Sequence, residues 1–301
     1  MAEMVSQYPD VVKLKGESHL YKLFYDPFTY LEDLPWRRRL KRSSWIFKHY
    51  GSIPILTGFN SNNIWASFPR NYRFYEQSGQ SSGPHTCVGY AEFVELVNAA
   101  RASEGSDLTK VKRLITSVFD AAFYQQGGDD NKIMLEKTPM HIKYADVILS
   151  TFPEAKVIEV VRDVRSVCAS WQARAKTQRW PRRATVELVN QWNRSVRLGE
   201  QFKQDLALSD RILRVRYEDL RQAPLATLQT VFEFAELPAS DPEILNIIDA
   251  LSIDKVKQKG EGQHVRSGVV GGWKAELTLE DIETCNRLAG PLLEKLGYLQ
   301  P

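Results

Sequence analysis

Short β-rich runs, each followed by a segment of helical period, predict an α/β fold of three layers around a mainly parallel central sheet. Residues 132–135 lead into a helix-period run through Ile142, Ala145, Ile148 and Leu149, closed by Phe152-Pro153. Residues 155–161 stop at Arg162 and restart as a helix carrying Ser170. Residues 212–215 form a short strand, and 224–235 a helix after it. Parallel neighbours need crossovers of this length, and sheets so built bind ligands beyond the carboxyl ends of their strands. Arg162, Tyr217 and Lys137 all stand at such ends and are expected to converge on one crevice.

The remaining elements follow from the same periodicities. Leu20, Leu23, Phe24 and Phe28 recur at near-helical spacing, while residues 51–90 read as loop-rich, with 79–84 the most mobile stretch. Residues 91–126 read as two helices, one face marked by Phe93, Val94 and Val97, the other by Val111, Leu114, Ile115, Val118 and Phe119. Val189, Trp192, Val196 and Gly199 share a face within 186–202, and 279–296 closes the chain as a helix. No repeat or linker interrupts the series, so one domain over 1–301 is expected, with 20–130 as a helical and loop region on the acceptor side.

A chain of 301 residues that is 43% hydrophobic can bury a substantial core. Its net charge of +3 is too small for a nucleic-acid binder. Basic residues cluster in Trp36-Arg37-Arg38-Arg39-Leu40-Lys41-Arg42, read first as a solvated helix face and second as a rim for an anionic acceptor or membrane surface. Cys87, Cys168 and Cys285 are odd in number and widely spaced, which favours a reducing, cytoplasmic setting and argues against a metal site. The chain contains no apolar run of membrane-spanning length.

The chemistry concentrates in four segments. A strand that delivers Arg162 to a sheet edge, followed by a helix bearing Ser170, is a recipe for holding a phosphate. Upstream stands Glu136-Lys137-Thr138-Pro139-Met140-His141, and downstream Val215-Arg216-Tyr217-Glu218-Asp219-Leu220 and Arg266-Ser267-Gly268-Val269-Val270-Gly271-Gly272-Trp273-Lys274. In this order the four segments resemble the sulfotransferases that use 3′-phosphoadenosine 5′-phosphosulfate, PAPS, over residues from about Glu136 to the C-terminus.

The resemblance implies a P-loop-NTPase-like fold and a set of roles. Arg162 and Ser170 would bind the 3′-phosphate of the nucleotide, and Arg174, one turn past Ser170, would assist them. Arg266, Ser267, Gly268, Gly271, Trp273 and Lys274 would fold back over the same phosphate, where a residue without Cβ lets backbone amides approach an anion. Tyr217 would sit near the nucleotide, and Lys137 would steady the leaving phosphosulfate. Gly16-Glu17-Ser18-His19 looks like the Gly-Glu-x-x segment of protein-tyrosine sulfotransferases, which makes Glu17 the first choice of general base and puts His19 in the place of a basic residue. His141 is the second choice of base. Arg165 reads as a surface charge.

The family also opens with a strand and a phosphosulfate loop similar to Gly-x-Pro-Arg-Ser-Gly-Thr-Thr, and this chain has none. Residues 53–63 lack the basic side chain and glycine pair of a phosphate cradle and read as a plain turn. The chain is therefore expected to start inside the first helix, as an N-terminally incomplete catalytic domain. The implied reaction moves a sulfuryl group from PAPS to a hydroxyl or amine of a small molecule or peptide, with no metal and no nucleic acid, in a chain that admits a homodimer. The alternative is a non-catalytic or partner-dependent homologue that keeps only the 3′-phosphate half-site. A kinase-like phosphotransferase would need a Walker loop and a magnesium ligand, and neither is present in the sequence.

Overall fold

The computed structural model describes residues 1–29, 61–79, 81–177, 182–252 and 269–299. Two compact units divide the chain. One holds Ala2 and Pro9–Tyr144, the other Met1, Glu3–Tyr8 and Ala145–Pro301. The fold is α/β with helices dominant, and every strand pairing in the described residues is parallel. These strands form two pairs, one in each unit.

In the unit of Pro9–Tyr144, β1 (Val11–Lys13) lies parallel to β2 (Ile133–Leu135), with Val12 opposite Met134. Around them pack the helices Ser61–Gln77, Tyr90–Ala102 and Asp107–Gln125. The last two are the pair predicted over 91–126, and Ser106 caps the second by accepting from the Thr109 backbone N–H. Leu20, Leu23, Phe24 and Phe28 are all buried, in a π-helical turn at Tyr21–Tyr25 and the short helix that follows it. The Phe24 ring meets Phe68 at 4.7 Å and Phe93 at 5.4 Å.

One expectation in this unit needs correction. Residues 61–77 lie in the stretch read as loop-rich, yet they form a helix of 17 residues with Pro69 inside it. Ile64, Trp65, Phe68, Tyr72 and Tyr75 bury one face of it, and that packing overrides the poor local propensity of its three asparagines and proline. Aromatic side chains of this N-terminal third pack into the core. Phe28, Trp65 and Tyr75 are buried, and Trp65 Nε1 donates to Asp107 Oδ1 at 2.9 Å. Trp36, Trp45, the basic cluster at 36–42 and most of the turn at 53–63 lie outside the described residues.

In the unit of Ala145–Pro301, β3 (Val157–Val161) lies parallel to β4 (Ile212–Arg216), with Glu159 opposite Arg214. The helices Val164–Thr177, Thr185–Gln204 and Leu279–Lys295 share one core of Val164, Cys168, Val189, Trp192, Cys285 and Leu293. Gly199 is where the long helix comes closest to the strands, since a Cβ there would overlap the paired side chains of Glu159 and Arg214. That ion pair, 2.6 Å between Arg214 Nε and Glu159 Oε2, is buried between β3, β4 and the helix. The helix Asp241–Ala250 was not anticipated, although its capping box, Ser240 with Glu243, is written in the sequence. No helix among the described residues is long and apolar enough to cross a membrane.

Candidate active site

At the carboxyl end of β3, the chain leaves the strand at Arg162 and enters a helix two residues later. Asp163 makes that turn. Its carboxylate accepts from the Arg165 backbone N–H at 2.9 Å, capping the helix. At the carboxyl end of the parallel neighbour, Tyr217 follows Arg216, and the Arg162 guanidinium stands 4.5 Å from the centre of the Tyr217 ring. Glu218 ties the two ends together. One of its oxygens accepts from the Asp163 backbone N–H at 3.1 Å and the other from the Tyr298 hydroxyl at 2.9 Å. Parallel pairing thus delivers the two predicted residues to one place, and the buried Nε of Arg162 has no hydrogen-bond partner among the described residues.

Ser170 and Arg174 lie one turn apart on the helix that starts at Val164. Gly271 takes φ +77°, a conformation open to glycine, and turns the chain into the short helix Trp273–Glu276. Lys274 is exposed beside Trp273. Arg266, Ser267 and Gly268 lie outside the described residues. The reading of Arg165 as a surface charge is overturned. Its side chain is buried, paired to Asp163 Oδ2 at 2.8 Å, bonded to the Tyr298 carbonyl at 2.9 Å and stacked 4.1 Å from the Trp273 ring. A guanidinium so held anchors the start of the Trp273 helix against the strand end that carries Arg162.

The other unit repeats the geometry. Gly16-Glu17-Ser18-His19 follows the end of β1, and Glu136-Lys137-Thr138 follows the end of its parallel partner β2. Lys137 Nζ therefore meets Glu17 Oε1 at 2.5 Å. His19 Nε2 stands 3.6 Å from the second oxygen of Glu17, too far for a hydrogen bond. Gly16 takes φ +73° and His19 φ +53°, so the segment turns sharply on both sides of Glu17. The Glu17 carbonyl accepts from the Gly83 backbone N–H at 2.7 Å, which fixes the glutamate's position. Burial, then the charge of Lys22, holds the His19 imidazole below its ordinary pKa, so it is neutral at pH 7.

His141 lies in a 3₁₀ segment, Pro139–Tyr144, directly after this strand end. Its Nδ1 is 2.8 Å from Glu136 Oε2, and the other oxygen of Glu136 accepts from Ser18 Oγ at 2.8 Å and Thr138 Oγ1 at 2.6 Å. Burial alone would raise the Glu136 pKa, but the bonds from His141, Thr138 and Ser18 outweigh it and hold the carboxyl below its ordinary value. His141 Nε2 is buried and has no partner among the described residues. Both base candidates and Lys137 thus occupy one cluster. Sequence reasoning named these three but gave no role to Glu136, although it heads the quoted motif, nor to Glu218, which stands beside Tyr217.

The sequence model of the Sulfotransferase family matches residues 61–241. Protein-tyrosine sulfotransferase 1 of Danio rerio is 25% identical over 179 residues, 57% of this chain and 50% of the relative, so the match spans half that relative's length. Among solved structures, the sulfotransferase domain of the Synechococcus PCC 7002 olefin synthase overlays at a TM-score of 0.49, with 16% identity and coverage of 100% of this chain and 90% of that one. Mouse sulfotransferase SULT7A1, complexed with PAP, overlays at 0.46 with 14% identity, covering 58% of this chain and 70% of that one. Neither overlay reaches the similarity that would identify a fold by itself. The sequence match covers more than half of the chain, and on it this chain belongs to the Sulfotransferase family.

Proposed function

We propose that this chain transfers a sulfuryl group from 3′-phosphoadenosine 5′-phosphosulfate to a hydroxyl or amine acceptor. The observation that carries the reading is the pairing of Arg162 with Tyr217 at adjacent carboxyl ends, with a buried Nε–H left over for an anion. Ser170 and Arg174 add a hydroxyl and a second guanidinium from the helix that follows. Gly271, Trp273 and Lys274, with Arg266, Ser267 and Gly268 before them, are assigned to cover the 3′-phosphate, and the Arg165–Trp273 stack supports this by fixing one end of that segment.

In the transfer itself the acceptor oxygen or nitrogen forms a bond to sulfur while the bond from sulfur to the phosphate oxygen breaks. The electron pair leaves with the bisphosphate. Lys137 is assigned to neutralise that leaving charge, and Glu17 and His141, which share its cluster, are the two groups assigned to take the acceptor's proton. The acceptor class is a small molecule or a peptide. The three free thiols, all buried, suit a reducing compartment, and the cytoplasm is the proposed location.

Calorimetry with 3′,5′-adenosine bisphosphate tests the donor site. Loss of the charge-assisted bonds in Arg162→Ala should cost about 1.5–3 kcal/mol, a fall in affinity of roughly 10- to 100-fold. Unchanged binding in that variant overturns the reading. Binding without any turnover of PAPS would instead favour a non-catalytic homologue.

A further inference from the structure

We propose that Glu136 is a positioning residue that locks His141 into the tautomer whose Nε2 lone pair takes the acceptor's proton. The inference rests on the sulfotransferase reading above and assigns the base within it.

An ionised carboxylate only accepts hydrogen bonds, so the 2.8 Å contact between His141 Nδ1 and Glu136 Oε2 requires the proton to sit on Nδ1. In a neutral imidazole the other nitrogen then carries a lone pair. Ser18 and Thr138 both donate to Oε1, so the carboxylate is held from three sides and its orientation is fixed. Tyr21 closes on the His141 ring edge-on at 5.4 Å, which leaves the imidazole little freedom to rotate.

The lone pair so prepared has no hydrogen-bond partner among the described residues, although Nε2 is buried. A buried polar atom left unsatisfied costs about 1–3 kcal/mol, and such atoms concentrate where a ligand completes the bonding. Glu17, the other candidate, already has Lys137 at 2.5 Å on one oxygen and His19 at 3.6 Å from the other. Its carboxylate is engaged in holding Lys137. On proton transfer the acceptor's O–H bond breaks, its proton goes to His141 Nε2, and the acceptor oxygen closes on sulfur. The imidazolium formed faces the Glu136 carboxylate, which stabilises it until the proton passes to solvent.

The full-length chain is tested with PAPS as donor and, as acceptor probes, a tyrosine-containing peptide and a simple phenol. His141→Ala should lower kcat on the order of 10²-fold. Glu136→Ala should lower it comparably, and the double variant should be no slower than His141→Ala alone, because the two residues act as one unit. Glu136→Gln should recover part of the rate, since its amide oxygen can still accept from Nδ1 while the hydroxyls of Ser18 and Thr138 turn to face the NH₂ group, although the charge that stabilises the imidazolium is lost. Binding of 3′,5′-adenosine bisphosphate should be unchanged in all of them, which separates this test from that of the donor site.

A second readout needs no turnover. Nitrogen NMR of the chain labelled at its 5 histidines, assigned with the His141 variant, should show Nδ1 protonated and Nε2 unprotonated. An Nε2-protonated His141 overturns the proposal, as does additive loss in the double variant or a His141→Ala rate within threefold of the parent. Absence of any turnover by the parent chain overturns the activity reading, and the nitrogen shifts then decide the dyad by themselves.

Discussion

Lys137 Nζ rests 2.5 Å from Glu17 Oε1 although 120 residues separate them. The register of β1 against β2 brings them together, Lys13 lying opposite Leu135, so that the chain leaves both strands on the same side. The Lys137 side chain is 44% exposed, and an ion pair that open contributes about 0–1 kcal/mol to stability at most. Its value is geometric. A cation and a carboxylate are placed at one strand-end pair with nothing spent on burying them.

Lys137→Met follows from this directly. The variant keeps the stem and removes the charge, so unfolding midpoints in urea should stay within about 0.5 kcal/mol of the parent. Turnover of PAPS should fall by roughly 10²- to 10³-fold, as for the loss of one group that stabilises developing negative charge. A steady-state assay with donor at saturation reads the loss in kcat. Equal turnover in the two proteins would remove Lys137 from the transfer chemistry.

Gly16→Ala strains both the backbone and a neighbour. At φ +73° an alanine is disfavoured, and its Cβ would lie 2.6 Å from the Ser81 carbonyl oxygen and 2.9 Å from the Thr86 side chain. Destabilisation of about 1–3 kcal/mol is expected in urea unfolding, with a loss of turnover larger than that of a variant equally destabilised elsewhere, because Glu17 is the next residue. Gly79→Ala is the control. It also has a positive φ, +64°, but nothing stands within 4 Å of its Cβ.

Acidification should destabilise the chain in two stages. His19 is held neutral in the folded state by burial and by Lys22, below its ordinary value of 6.5. As the pH falls from 6.5 towards that lower folded value, the unfolded chain binds the proton first and stability drops. Glu136 behaves in the same sense lower down. Its depressed pKa contributes stability that is fully present above 4.5 and lost as the pH falls through the folded value. Urea midpoints measured from pH 7.5 to 3.5 should show both losses, and His19→Asn should remove the upper one. Asparagine suits the test because it tolerates the φ of +53° at this position. An identical pH profile in the variant would show that His19 does not carry the upper stage.

Much of the fold was legible because its signals are local. The helices Tyr90–Ala102, Asp107–Gln125, Thr185–Gln204 and Leu279–Lys295 each fall where the periodicity of apolar side chains put them. Val189, Trp192, Val196 and Gly199 bury the face that their spacing defined. The helix Ser61–Gln77 was illegible for the converse reason. Asparagines and an internal proline speak against a helix locally, and only the aromatic core beneath Trp65, Phe68 and Tyr72 decides the matter. The strand Val11–Lys13 went unseen because three residues carry almost no periodicity.

By itself the sequence determined most of the helices, the strands that carry Arg162 and lead into Tyr217, the motifs at Glu136, Arg162, Tyr217 and Arg266, and, by its match over residues 61–241, membership of the Sulfotransferase family. The tertiary structure decided which of those residues touch. Arg165 passed for a surface charge until Asp163, the Tyr298 carbonyl and the Trp273 ring enclosed it, and Cys168 and Cys285, 117 positions apart, turn out to have sulfurs 3.9 Å from each other. The same holds for Glu17 with Lys137. The physical reason is range: periodicity reports on neighbours within a few residues along the chain, whereas a pairing across a hundred residues depends on strand register and helix packing, which no local pattern encodes.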